Sequence, residues 1–69
     1  MNESAQEVAR IIKRERERAG LSKSALARTL NLSRPTIIAV ESGRRISYAN
    51  LRKIADFFAL EIKMGLTQR

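Results

Sequence analysis

Basic side chains are the residues of this sequence whose type and number point most directly to a chemistry. Fourteen lysines and arginines stand against seven aspartates and glutamates, which gives a net charge of +7. Ammonium and guanidinium groups bind phosphate, and an excess of them on a folded domain is typical of nucleic-acid-binding proteins. The apolar content of 43% is that of a globular chain, so we expect the charge to lie on a folded domain rather than a disordered tail.

The sequence lacks the residues that most catalytic and metal sites need. The sequence has no histidine, no cysteine and a single aspartate. This composition excludes disulfides, zinc sites of the Cys/His kind and a histidine general base. We therefore expect no enzyme, no metal and no cofactor, and nothing in the sequence indicates a small-molecule ligand. With only three aromatic residues, stacking on single-stranded RNA is also disfavoured.

The length sets the organisation. Sixty-nine residues predict one domain over 1–69. The core of such a small chain is marginal, so dimerisation would add stability. No apolar run is long enough to span a membrane, and the first residues are polar rather than signal-like. We expect a cytoplasmic protein without membrane contact.

Four segments with helical periodicity each follow a serine, whose hydroxyl can accept a hydrogen bond from the first helical turn. The predicted N-caps are Ser4, Ser22, Ser33 and Ser47. The first segment spans about residues 4–19 and the third spans 34–42, with Pro35 in its first turn. The predicted stops, which tolerate a left-handed backbone, are Gly20, Asn31 and Gly43.

The apolar residues of these segments recur on one face of each helix. Their spacing predicts an all-α body of four helices packed around one core. The predicted core positions are Val8, Ile11, Ile12, Leu26, Ala27, Leu30, Ile37, Val40, Leu51, Ile54, Ala55 and Phe58.

The C-terminal tail, defined here as residues 60–66, changes period. Its apolar residues alternate with polar ones or glycine, which predicts a strand, although a continued fourth helix is the alternative. No partner strand is evident in the chain, so we expect this strand to pair with the same segment of a second copy. The predicted dimer interface is Phe58, Leu60, Ile62, Met64 and Leu66, with Phe57 replacing Phe58 if Phe58 belongs to the core.

The second and third helices are joined by three residues, 31–33, which is the spacing of a helix-turn-helix unit over about 22–42. An ordinary helical hairpin has the same spacing, but the flanking basic residues favour the DNA-binding interpretation. A sequence resemblance supports it. In register, the chain resembles the phage repressor and Cro (XRE-type) family at Gly20-Leu21-Ser22, Leu26-Ala27, Leu30-Asn31-Leu32-Ser33-Arg34, Thr36-Ile37 and Val40-Glu41-Ser42-Gly43-Arg44.

This resemblance implies an all-α fold of four to five helices. It also implies a dimeric regulator of transcription, most simply a repressor, that binds double-stranded operator DNA. Residues 60–64 resemble the C-terminal strand of HipB-like antitoxins, which implies an autoregulating antitoxin with a toxin protein as partner. A stand-alone phage-type repressor, a controller protein of a restriction system and a protein-interaction module remain alternatives.

The third helix should lie in the major groove, with basic residues around it on the phosphates. The predicted base contacts are Arg34, Pro35, Thr36, Ile38 and Ala39. The predicted phosphate contacts are Ser22, Lys23, Arg28, Ser33, Ser42, Arg44 and Arg45. The resemblance also implies an ion pair between Arg16 and Glu41, and an anion near a helix C-terminus does need a cation.

Overall fold

The computed structural model describes residues 5–62 and 66–68, and the surroundings of side chains over 5–59. Its described part contains the helices α1 (Ala5–Arg18), α2 (Lys23–Leu30), α3 (Arg34–Glu41) and α4 (Tyr48–Phe57). Two short strands follow, β1 (Leu60–Ile62) and β2 (Leu66–Gln68). The predicted four-helix body is confirmed, and the described residues contain no fifth helix.

Three of the predicted serine caps are in place. Each hydroxyl oxygen accepts a hydrogen bond from the backbone N–H three residues later, at 3.0 Å for Ser22, 3.2 Å for Ser33 and 3.1 Å for Ser47. These bonds satisfy N–H groups that have no partner within the helix. The fourth predicted cap, Ser4, lies outside the described residues.

The helix ends follow the prediction as closely as the starts. Gly20, Asn31 and Gly43 all have positive φ, at 74°, 57° and 83°. In each case the next residue donates its N–H to the carbonyl five positions earlier, at 3.1, 2.8 and 3.0 Å. This is the hydrogen bond that closes a helix over a left-handed residue. Helix α4 differs, because Ala59 takes the left-handed conformation (φ 58°) although it carries a Cβ.

The core takes one fully buried aliphatic side chain from each helix: Ile12, Leu26, Ile37 and Ile54. The remaining predicted core positions are either buried or packed against this cluster. The spacing of apolar residues therefore identified the inward face of all four helices correctly. Helix α3 packs on both α1 and α2, so α2 and α3 form the two helices of the predicted unit, joined at Asn31.

The C-terminal prediction was partly wrong. Strand β1 pairs in antiparallel fashion with β2 of the same chain, with Leu60 opposite Gln68 and Ile62 opposite Leu66. The expectation of one strand through Leu66 without a partner in its own chain is therefore incorrect, as is a continued α4. Met64 lies outside the described residues. Pairing across a dimer stays a prediction.

The prediction for the two phenylalanines that precede β1 also needs a correction. Phe58 is half-buried and packs against the core, whereas the neighbouring Phe57 remains 43% exposed. The two rings meet edge to face with centroids 5.0 Å apart. By the criterion given above, Phe57 replaces Phe58 as the interface candidate.

Candidate nucleic-acid interface

Helix α3 presents two different sides. Ile37 and Val40 are buried against the core. Each helical residue turns by 100°, so Pro35, Ala39 and Ser42 lie on the opposite side. Pro35 and Ser42 are exposed and Ala39 is half-buried. The side of α3 that faces away from the core is thus the side that carries predicted base and phosphate contacts.

The first turn of α3 is organised by hydroxyl groups. The Ser33 and Thr36 hydroxyls form a hydrogen bond of 2.8 Å, and the Thr36 N–H donates to the Ser33 oxygen. Between them stands Arg34, which is exposed and begins the helix. Ile38 is half-buried beside this turn, and its carbonyl accepts a hydrogen bond from the Ser42 hydroxyl at 2.7 Å.

The predicted contacts on α2 stand at its start and on its outer surface. Ser22 is exposed, and its hydroxyl oxygen accepts the capping hydrogen bond from the Ala25 N–H. The hydroxyl hydrogen therefore remains able to donate. Lys23, the first residue of α2, is half-buried, while Arg28 is exposed. A helix start that points several N–H groups outward favours an anion such as phosphate.

Five cations form the basic set of this interface: Lys23, Arg28, Arg34, Arg44 and Arg45. Within the described residues, no carboxylate lies within ion-pair distance of any of them. The arginines on the outer sides of α1 and α4 behave differently, because Arg10 pairs with Glu7, Arg18 with Glu15 and Arg52 with Asp56. Lys13 and Lys53 also have no ion-pair partner within residues 5–59, so the lack of a partner is not confined to this face.

The loop between α3 and α4 holds two members of the basic set. Arg44 and Arg45 are both exposed and follow directly on Gly43. Gly43 lies against the side chain of Gln6 on α1, and a Cβ there would stand 3.0 Å from the Gln6 amide nitrogen. Sequence reasoning missed Gln6, since a contact between residues 37 positions apart leaves no local signal. The Gln6 side chain thus lies next to the turn from which the two arginines project.

Arg16 and Glu41 form the ion pair that the resemblance implied. The Arg16 Nε and Nη2 groups donate to the two carboxylate oxygens at 2.6 and 3.0 Å, and Nη1 donates to the Leu21 carbonyl at 2.8 Å. Arg16 is only 7% exposed, and the Glu41 side chain only 3%. One guanidinium thereby ties α1, the turn before α2 and the end of α3 together.

The hydrogen bonds from Arg16 to Glu41 raise the pKa of Arg16 above its ordinary value, against the opposing effect of burial. A raised pKa means that the stability due to this group is present at all lower pH values and is lost only in strong alkali. The guanidinium is therefore charged across the whole neutral range.

Other kinds of site are not evident in the part of the chain that the structure describes. Residues 5–62 and 66–68 hold no group of three or more carboxylates, histidines or cysteines that could bind a metal ion. None of the described helices has both the length and the apolar character needed to cross a membrane.

Comparison with known proteins agrees with this geometry. A family model described as helix-turn-helix matches residues 12–64, which is 53 of the 69 residues. The match begins in the middle of α1 and covers α2, α3, α4 and β1, so it includes both helices and every member of the basic set. No curated protein matches the chain.

Proposed function

The chain belongs to the XRE-type helix-turn-helix family of DNA-binding transcription regulators, and we propose that it is a dimeric repressor that binds an inverted-repeat operator. The observation that carries the proposal is the state of its cations. All five members of the basic set lack a carboxylate partner in the described residues, whereas most arginines elsewhere have one. Unpaired cations are free to replace the counterions of DNA phosphates.

The residues take distinct roles in this proposal. Arg34, at the exposed start of α3, is placed to bind guanine O6 and N7 with its two-pronged guanidinium. Thr36 adds a hydroxyl, while Ile38, Pro35 and Ala39 offer the apolar contact that a thymine methyl requires. Lys23, Arg28, Arg44 and Arg45, with the hydroxyls of Ser22, Ser33 and Ser42, contact phosphates and fix the helix in the groove.

Two features support a dimer. A domain of 69 residues gains stability from association, and Phe57 exposes an aromatic ring next to the tail. A twofold dimer binds two half-sites about 34 Å apart, one turn of DNA, so the operator should be an inverted repeat.

The subtype of regulator is proposed from the C-terminal tail. We propose an autoregulating antitoxin, supported by the resemblance of residues 60–64 to HipB-like antitoxins. Co-expression with the product of the adjacent gene tests it. A stable complex that represses more tightly than the chain alone supports an antitoxin, and the absence of any complex favours a stand-alone repressor.

The decisive experiment selects DNA sites from a random duplex library and then measures affinity for the selected site against salt. If the dimer neutralises about six to ten phosphates, affinity should fall about 10³- to 10⁵-fold between 50 and 200 mM salt. Arg28→Ala should flatten this dependence. Lys53→Ala is the matched control, since Lys53 is also exposed and has no ion-pair partner among the described residues, but lies on α4. Equal effects of both variants, or enrichment of asymmetric sites, would contradict the proposal.

A further inference from the structure

A pocket of about 150 Å³ lies beside the basic set, between the start of α1, the loop after α3, and α4. It is partly open to solvent. Most of its wall is apolar and comes from Ala5, Val8, Val40, Ile46 and Leu51. Arg44 and Arg45 complete the lining, and both are exposed. The pocket therefore combines an aliphatic interior with a cationic, solvent-facing side.

The volume sets the size of what the pocket can hold. An engineered apolar cavity of about this volume in another protein stays dry and binds benzene. A six-membered carbon ring thus fits the apolar part, and the aliphatic walls offer no polar side-chain group that a buried water or sugar hydroxyl would need.

The charge sets the chemistry of the exposed end. No carboxylate belongs to the described lining, and neither arginine has an ion-pair partner in the described residues. Guanidinium groups bind carboxylates through paired, charge-assisted hydrogen bonds. A neutral apolar molecule would leave these donors unused, and inorganic phosphate would leave the apolar wall in water.

We propose that this pocket binds a small carboxylate that carries an aromatic or alicyclic ring. The ring lies against the wall formed by Val8, Ile46 and Leu51, and the carboxylate takes hydrogen bonds from Arg44 or Arg45. Binding of this ligand does not depend on the proposed function. Its consequence does, because the two arginines are also assigned to DNA phosphates, so an occupied pocket should weaken operator binding.

The test uses benzoate as probe and follows backbone amide signals of the full chain by NMR. Benzyl alcohol supplies the ring without the charge, and acetate supplies the charge without the ring. We expect benzoate to shift the amides around the pocket, at Val8, Ile46 and Leu51, and to bind at least about tenfold more tightly than either control. Equal binding of benzyl alcohol, equal binding of acetate, or shifts elsewhere would overturn the proposal.

Variants then separate the arginines from general charge effects. The double variant Arg44→Gln, Arg45→Gln should lose about tenfold or more in benzoate affinity, whereas Arg28→Gln, which removes an arginine outside the pocket, should lose none. Both changes are at exposed positions, so the fold is retained. If benzoate binds only after residues 1–4 are deleted, the occupant of the pocket is the chain's own N-terminus and the proposal fails.

A DNA-binding arm tests the consequence separately. Benzoate at ten times its dissociation constant should lower operator affinity by up to about tenfold per site, while acetate at the same concentration controls for salt. Benzoate binding with unchanged operator affinity would refute the assignment of Arg44 and Arg45 to phosphates and leave the pocket assignment standing. Absence of benzoate binding would refute the pocket assignment and leave the assignment of Arg44 and Arg45 to phosphates standing.

Discussion

The two sides of α3 differ in how firmly the rest of the molecule holds them. On the inner side, Ile37 and Val40 pack in the core, and Glu41 is fixed by Arg16. On the outer side, Pro35 and Ser42 have little around them, and Arg34 lacks an ion-pair partner in the described part. The inner side thus determines where the helix lies, and the outer side remains available to determine what it contacts.

Within a single helix of eight residues, one side therefore fixes the position of the helix and the other side is available to determine DNA specificity. Helix α3 buries Ile37 and Val40 in the core, and the buried carboxylate at its end adds an ion-paired attachment to α1. Changes on the inner side should therefore alter stability, and changes on the outer side should alter DNA selection. Three comparisons between variants test this separation.

The largest effect is expected from Arg16→Ala. The change leaves the Glu41 carboxylate buried without its cation, which costs about 3–5 kcal/mol of folding free energy. Urea unfolding followed by circular dichroism measures it. Arg18→Ala is the control, because its ion pair with Glu15 is exposed at the arginine and should contribute less than about 1 kcal/mol. Similar small losses in both variants would show that the buried pair does not hold α3.

Replacing each of two adjacent isoleucines compares the sides directly. Ile37→Ala empties a fully buried position and should lower the unfolding free energy by about 2–5 kcal/mol. Ile38→Ala removes a half-buried side chain and should cost clearly less, while altering which base pairs are preferred at the operator. Thermal unfolding and site selection read out the two effects. Equal losses of stability would refute the division into two sides.

The smallest effect concerns discrimination at one base pair. Arg34→Ala should reduce the preference at that position by about 1–3 kcal/mol if the guanidinium binds guanine at two points. Arg44→Ala should instead weaken operator and random DNA by the same factor. Competition binding with single-base operator variants measures both. If Arg34→Ala weakens all sequences equally, Arg34 is a phosphate contact and the base reading depends on other residues.

Much of the helical body was predictable because its signals are local. Serine caps and left-handed stops lie within a few residues of the ends that they specify, and the apolar period marks the core face. The end of α4 had no such signal, since alanine, the residue at position 59, does not favour a left-handed backbone. The pairing of β1 with β2 was missed because the alternation of apolar residues over 60–66 favours one continuous strand.

The candidate site was predictable only as a set of residue types. The exposed positions of α3 follow from helical geometry once Ile37 and Val40 are assigned to the core. The pairing of Arg16 with Glu41 came from the family resemblance, because no local rule joins residues 25 positions apart. The proximity of Gln6 to Gly43 and the pocket beside Arg44 could be found only in the structure, since both bring together residues from distant parts of the chain.

The three left-handed stops at Gly20, Asn31 and Gly43 have a consequence for the lifetime of the protein. Helices whose limits are specified by neighbouring residues form quickly, and helical domains rich in local contacts fold within microseconds to milliseconds. If an unfolded molecule refolds faster than a protease can cleave it, the rate of degradation depends on the equilibrium fraction of unfolded molecules rather than on the unfolding rate. Turnover of this regulator should therefore follow its free energy of unfolding.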